Sequence, residues 1–177
     1  MRIIAGKYGG RVFDSPKGHR THPMSDRMRG GLFNTLGDIE GLTVLDAFTG
    51  SGALAFEAIS RGAVHATAVD IDKAAITTVV NNAQALGISM QVKAIHAGII
   101  SWLETSPHDQ FFDLILADPP YDDLQNPTLQ KLVSRLQPHG IFVLSWPGKE
   151  PAPNLDGLEL VKQNDYGDSQ LLFYKFI

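Results

Sequence analysis

The chain of 177 residues contains no cysteine. That one absence excludes a disulfide framework, a thiolate zinc site, a cysteine nucleophile and an iron–sulfur cluster. No run approaches the roughly 20 apolar residues that a membrane span requires. The opening Met1-Arg2-Ile3-Ile4-Ala5-Gly6-Lys7 is too short an apolar stretch for a secretory signal. The expectation is a cytoplasmic protein without a membrane partner. His65, His96, His108 and His139 are scattered and form no ligand spacing, so no metal is expected. What remains is an ordinary globular composition, 44% hydrophobic and 19% charged, with a mean hydropathy of -0.04. On a guide of about 150 residues per domain, residues 1–177 are expected to form one domain. A chain of this length buries about 70% of its unfolded surface and needs no covalent staples.

Positive charge is scarce and uneven, with 15 Lys and Arg against 19 Asp and Glu. Residues 1–29 hold Arg2, Lys7, Arg11, Lys17, Arg20, Arg27 and Arg29 against Asp14 and Asp26, a net +5, and the remainder is net -9. His19 and His22 add to the arm's charge when protonated. A basic arm on an acidic body suits contact with a polyanion, because Lys and Arg displace counterions from phosphates. Ile3-Ile4-Ala5 and Arg11-Val12-Phe13 predict a short hairpin. Ser25 is placed to cap a helix that carries Asp26 in its first turn and Met28, Leu32 and Leu36 at helical spacing. Gly30-Gly31 inside that helix costs about 1 kcal/mol per glycine, which calls for a closely packed neighbour. Residues 1–40 are thus a basic extension, hairpin plus helix, and 41–177 the core.

The core alternates. Strands are predicted at Thr43–Asp46, His65–Asp70, Met90–Ile95, Asp113–Ala117 and Ile141–Leu144. Between them fall helices at Ala53–Arg61, Lys73–Leu86, Ile99–Glu104 and Pro127–Leu136, with a turn at Pro138-His139-Gly140. Ser145 to Asp156 is a proline-containing loop. Two closing stretches, Leu158–Gln163 and Gln170–Phe176, have no helix between them and predict an antiparallel hairpin. The class is α/β, a doubly wound, Rossmann-like parallel sheet, in which ligands bind outside the carboxyl ends of the strands.

Those ends carry the chemistry. The first runs into Asp46-Ala47-Phe48-Thr49-Gly50-Ser51-Gly52-Ala53-Leu54-Ala55, and Asp70 closes the second. Gly50, Gly52 and Ala55 fit a dinucleotide pattern with Asp70 about 20 residues on. Asp46 favours a different ligand, because a carboxylate beside the glycine loop repels a pyrophosphate but attracts the ammonium and sulfonium of S-adenosylmethionine. The fourth strand ends in Asp118-Pro119-Pro120-Tyr121. Two prolines remove two donors and leave carbonyls that only accept, and Tyr121 adds a flat π surface. That suits an exocyclic amino group of a base, held by the Asp118 carboxylate and the Pro119 carbonyl and stacked on Tyr121. Trp102 is expected in the core, Glu57 in a local pair, and Trp146 at the border of the pocket or within the fold.

Together these residues resemble the class I S-adenosylmethionine-dependent methyltransferases that modify amines through a D-P-P-Y motif. Ser25-Asp26-Arg27-Met28-Arg29 with Leu32-Phe33-Asn34, then Asp46 to Leu54 with Glu57-Ala58 and Ser60-Arg61-Gly62-Ala63, are similar to the bacterial 16S ribosomal RNA guanine-N2 methyltransferase family. Met1 to Lys7 and Pro16-Lys17-Gly18 are similar too. The resemblance implies a seven-stranded sheet in the order 3-2-1-4-5-7-6 and methylation of one guanine in small-subunit RNA, with the base out of its stack. It implies Asp46, Phe48, Gly50 and Gly52 along the methionine and ribose part of the cofactor and Asp70 on the ribose. Ile71 and Gly98 then lie at the adenine, and Asp118, Pro119 and Tyr121 hold the guanine amine. Arg11, Lys17, Arg20, His22, Arg27 and Arg29, with Pro120, are the expected RNA contacts, and the partner is ribosomal RNA or the small subunit, met by a monomer. The chain departs from the family pattern at His22-Pro23-Met24, where Arg-Pro-Thr is usual, and at Gly30, Gly98 and Ser145, where acids are usual. A DNA adenine-N6 methyltransferase and a non-catalytic RNA-binding protein on the same scaffold are the competing readings.

Overall fold

The computed structural model describes residues 1–16 and 23–177. Lys17, Arg20 and His22, three of the expected RNA contacts, lie outside the described residues. Helix α1 (Asp26–Leu36) starts where the sequence places it: Ser25 Oγ accepts the Met28 N–H at 3.2 Å, and Asp26 occupies the first turn. Next come β1 (Thr43–Ala47), α2 (Ala53–Ser60), β2 (His65–Asp70), α3 (Lys73–Leu86), β3 (Val92–His96), α4 (Ile99–Thr105), β4 (Phe112–Ala117) and α5 (Asn126–Leu132). A 3-10 turn over Val133–Arg135 leads into β5 (Leu136–Pro147), and β6 (Leu158–Asp165) and β7 (Ser169–Phe176) close the chain.

The seven strands form one sheet in the order β3-β2-β1-β4-β5-β7-β6, as the resemblance implies. The first five are parallel, and β7 enters antiparallel between β5 and β6. Successive residues of β4 feed opposite faces. Leu114 and Leu116 join Met28, Phe33, Phe56 and Val79 on one side, and Ile115 and Ala117 join Trp102, Leu129, Phe142 and Trp146 on the other.

Two local expectations are corrected. The fifth strand spans twelve residues rather than four, taking in Pro138-His139-Gly140 and running on through Ser145 to Pro147. Its register against β4 shifts between Phe112 and Leu114, and the irregularity accommodates the proline. The helix before it stops at Leu132, four residues short of the predicted end, and tightens into the 3-10 turn. Finally, the N-terminal hairpin forms but is short: one antiparallel bridge, Arg2 to Val12, with the Ile3 N–H on Arg11 O at 2.9 Å and the Phe13 N–H on Met1 O at 3.0 Å. Glu57 on α2 fastens its outer edge, taking the N–H groups of Ile4 at 2.7 Å and Ala5 at 3.1 Å.

The two glycines of α1 differ. A Cβ on Gly31 would lie 2.0 Å from the Tyr166 hydroxyl, whereas one on Gly30 would meet only Ile4, at 3.8 Å. Gly31 is the seat of Tyr166, from the β6–β7 turn. Asn164 binds the same helix through Thr35 Oγ1 at 2.9 Å.

Candidate active site

The strand order reverses between β1 and β4, and a cavity of about 970 Å³ opens there along the carboxyl ends of the sheet. Phe48, Asp70, Ala97, Asp118 and Ser145, each just past or near the end of a parallel strand, line it. Met24, Met28 and Tyr166 close the side facing α1. Among the described residues no Lys, Arg or His lines this cavity, whereas Asp70, Asp72, Asp118, Asp122 and Asp168 do. A smaller hollow of about 340 Å³ lies at the amino ends of the first strands, beside Lys7 and Gly62, away from these groups.

The β1 side is built around Asp46. Its carboxylate is fully buried; Oδ2 accepts from Thr49 Oγ1 at 2.6 Å and from the Ala55 N–H at 3.0 Å, while Oδ1 has no partner. Burial pushes this carboxyl up to about 7, with the charges of Asp118 and Asp70 adding to the effect. Phe48 adopts a left-handed backbone, φ 65°, a conformation that costs a non-glycine residue about 1–2 kcal/mol. Gly52, at φ 82°, is required twice over, since a Cβ there would also come within 2.7 Å of the Phe56 ring. Asp70 Oδ2 accepts the Gly50 N–H at 2.8 Å, so the carboxylate at the end of β2 holds the glycine loop. Ile71 is 76% exposed, and its Cδ1 lies 3.6 Å from where a Cβ of Gly98 would be. The structure thus brings these two side by side on the cavity lining.

At the end of β4, burial also raises the Asp118 carboxyl, and the Ser145 hydroxyl pulls it partly back. Pro119 is buried, and Pro120 lines the cavity while its carbonyl accepts the Asp123 N–H at 3.0 Å. Tyr121 is half-buried, its hydroxyl 2.8 Å from Ser145 Oγ. Burial raises its phenol, and interactions with Ser145 and Ser169 oppose the rise.

The arm's cations divide. Arg27 is exposed on α1 without a partner among the described residues. Arg11 is exposed but donates to the carbonyls of Leu86 at 2.8 Å and Ala85 at 3.0 Å, closing the C-terminus of α3. Arg29 is a correction: it is fully buried, bonded to Arg2 O and Asp26, with Nε 3.9 Å from Glu57, and cannot reach a phosphate. Trp102 is core, as expected. Trp146 does not border the cavity; it is buried and donates to the Pro151 carbonyl at 3.0 Å. Sequence reasoning did not place Tyr166 at the cavity, because no local pattern marks a turn residue that reaches a helix more than a hundred positions away.

The raised carboxyls bear on stability. Folded Asp46 keeps its proton between about pH 4 and 7, where the unfolded chain, titrating at its ordinary 3.8, has released it. Raising the pH through that window therefore removes stability, and Asp118 acts with the same sign. In urea titrations across this range, Asp46→Asn is expected to flatten the loss relative to the parent. The comparison isolates the effect from Asp26, whose lowered carboxyl works the opposite way. Parallel curves would remove Asp46 as the source.

Comparison with known proteins follows the same outline. The sequence model of the family described as Conserved hypothetical protein 95 matches residues 1–175. A candidate rRNA methyltransferase of Bacillus subtilis, YlbH, is 30% identical over 188 residues, covering 99% of this chain and 98% of its own. The ribosomal RNA small subunit methyltransferase D of Haemophilus influenzae is 30% identical over 172 residues, covering 94% and 89%. The solved structure of a candidate methyltransferase of Escherichia coli, yhhF, matches with a TM-score of 0.88 at 26% identity, covering 99% of this chain and 97% of that one.

Proposed function

The chain belongs to the Conserved hypothetical protein 95 family of S-adenosylmethionine-dependent methyltransferases, and from that premise we propose that it methylates the exocyclic N2 amine of one guanine in small-subunit ribosomal RNA. The observation that carries this reading is the single cavity shared by the Phe48–Asp70 side, with Asp46 buried behind it, and the Asp118–Tyr121 side. The small-subunit specificity in the name of the Haemophilus influenzae relative supports the choice of RNA.

The residues present fit the cofactor. The unpartnered Oδ1 of buried Asp46 suits an ammonium, and the absence of Lys, Arg and His from the described lining suits a ligand of net positive charge. Asp46, Phe48, Gly50 and Gly52 would hold the methionine and ribose part, Asp70 the ribose hydroxyls, and Ile71 and Gly98 the adenine. S-adenosylmethionine supplies an electrophilic methyl group on its sulfonium. Asp118 and the Pro119 carbonyl accept the two N–H bonds of the guanine amine, and Tyr121 stacks on the ring, so that the nitrogen lone pair faces the methyl group. Orientation and electrostatics do most of this work. As the N–C bond formed and the methyl–sulfonium bond broke, releasing the neutral thioether S-adenosylhomocysteine, the amine would become an ammonium, a strong acid, and one N–H proton would leave to Asp118 or to water.

Incubating the protein and tritiated cofactor with small subunits, naked 16S RNA and DNA, then digesting to nucleosides, tests the assignment. Label in N2-methylguanosine from the ribosomal substrates is expected, and label only in N6-methyladenine from DNA would reverse it. Arg27, the exposed cation of α1, would contact phosphate. Arg27→Glu is expected to weaken RNA binding at every sequence and to reduce the slope of log affinity against log salt by about one. An unchanged slope would remove Arg27 from the interface.

A further inference from the structure

We propose that Ser145 is a positioning residue for methyl transfer, its hydroxyl being the joint that fixes the Asp118 carboxylate and the Tyr121 phenol relative to each other. The proposal rests on reading those two groups as the holders of the acceptor amine.

The backbone under Ser145 is fixed from both sides. Leu144 pairs with Ala117 of β4 in parallel register, so Ser145, the next residue of β5, stands beside Asp118 where β4 ends. On the other edge Ser145 itself pairs with Leu171 of β7. Its side chain is 3% exposed, and its Oγ lies 2.8 Å from the Tyr121 hydroxyl. A buried serine has one hydrogen to give and two lone pairs to receive. An ionised carboxylate only accepts, so when Asp118 is ionised the Ser145 hydrogen serves Asp118 and its Oγ accepts the Tyr121 O–H. That ordering runs from phenol to serine to carboxylate and selects one orientation of each.

The surroundings make the joint matter. Asp118 shares the cavity lining with Asp70 on β2, Tyr121 and Asp122 in its own turn and Asp168 before β7, and its charge reaches buried Asp46 on β1. The ammonium of Met1, also at the cavity, is bonded to the Phe13 carbonyl at 2.9 Å. Acids therefore crowd the site, and burial disfavours the ionised form of Asp118, against which the Ser145 hydroxyl is the opposing interaction. Tyr121 has a second serine, Ser169 of β7, so loss of Ser145 frees its ring less than it protonates Asp118.

The test compares the parent with Ser145→Ala and Ser145→Thr, following Asp118 by carbon NMR titration of the free protein and turnover against pH on ribosomal RNA. In Ser145→Ala the Asp118 titration and the acid limb of kcat are both expected to move to higher pH by about one unit. That is about a tenfold loss of kcat below the limb, with KM for RNA changed less than about twofold. Ser145→Thr, which keeps a hydroxyl, is expected to restore both. An Asp118 titration unmoved in Ser145→Ala overturns the proposal, as does a threonine variant that behaves like the alanine one. A shifted titration in a protein whose product is not N2-methylguanosine supports the joint and overturns the acceptor reading instead.

Discussion

Asp118→Ala is expected to lower methyl transfer by about 10²–10³-fold, the usual cost of removing one preorganised polar group from a reacting centre. S-adenosylhomocysteine should still bind with little change, because Asp118 lies at the end of β4 and the glycine loop at the end of β1. Removing this carboxylate also relieves part of the repulsion that raises Asp46, so the Asp46 carboxyl ionises more readily in the variant. Asp118→Asn keeps one acceptor oxygen and should fall between the two. Calorimetry with S-adenosylhomocysteine, run beside single-turnover transfer, separates binding from chemistry. Undiminished transfer by Asp118→Ala would sink the assigned chemistry. Loss of cofactor binding in step with transfer would place Asp118 on the wrong ligand.

The largest expected effect on stability comes from a residue outside the cavity. Glu57 is fully buried on α2 and accepts from Ile4 N–H, Ala5 N–H and Arg61 Nε, the last at 2.7 Å, with buried Arg29 3.9 Å away. Glu57→Ala leaves two backbone donors without acceptors and Arg29 short of a counter-charge, a change that costs about 3–5 kcal/mol. Glu57→Gln retains an acceptor oxygen and should lose less. Urea denaturation measures the difference, and limited proteolysis should show faster cleavage ahead of α1. A Glu57→Ala protein within about 1 kcal/mol of the parent would show that the arm is secured elsewhere.

Much of this architecture is legible in the sequence. His65–Asp70 and Lys73–Leu86 agree with the structure to the residue, because a β-rich run ending in an acid and an apolar period ending in glycine leave little choice. The gathering of the strand-end residues at one cavity is legible for the same reason, since topology puts every residue that follows a parallel strand on one rim. Arg29 was misread because charge alone does not distinguish a solvated arginine from one paired inside the fold. The fastening of the N-terminal hairpin is hidden for a related reason: Glu57 is more than fifty residues from the amides it captures. Ser145 stood out only as a departure from an acidic position, and its partners became visible once β4 and β5 were in register.

The anchoring of the arm on α2 has a consequence for how the chain is made. Ile4 and Ala5 are translated more than fifty residues ahead of Glu57, so their amides lack this acceptor until α2 has followed and coiled. Helix α1 waits longer still, since Asn164 and Tyr166, which grip it through Thr35 and against Gly31, are separated from it by almost the whole core. Chain order and fastening therefore run apart: the arm and α1 precede both α2 and the β6–β7 turn, yet depend on both for their clasps.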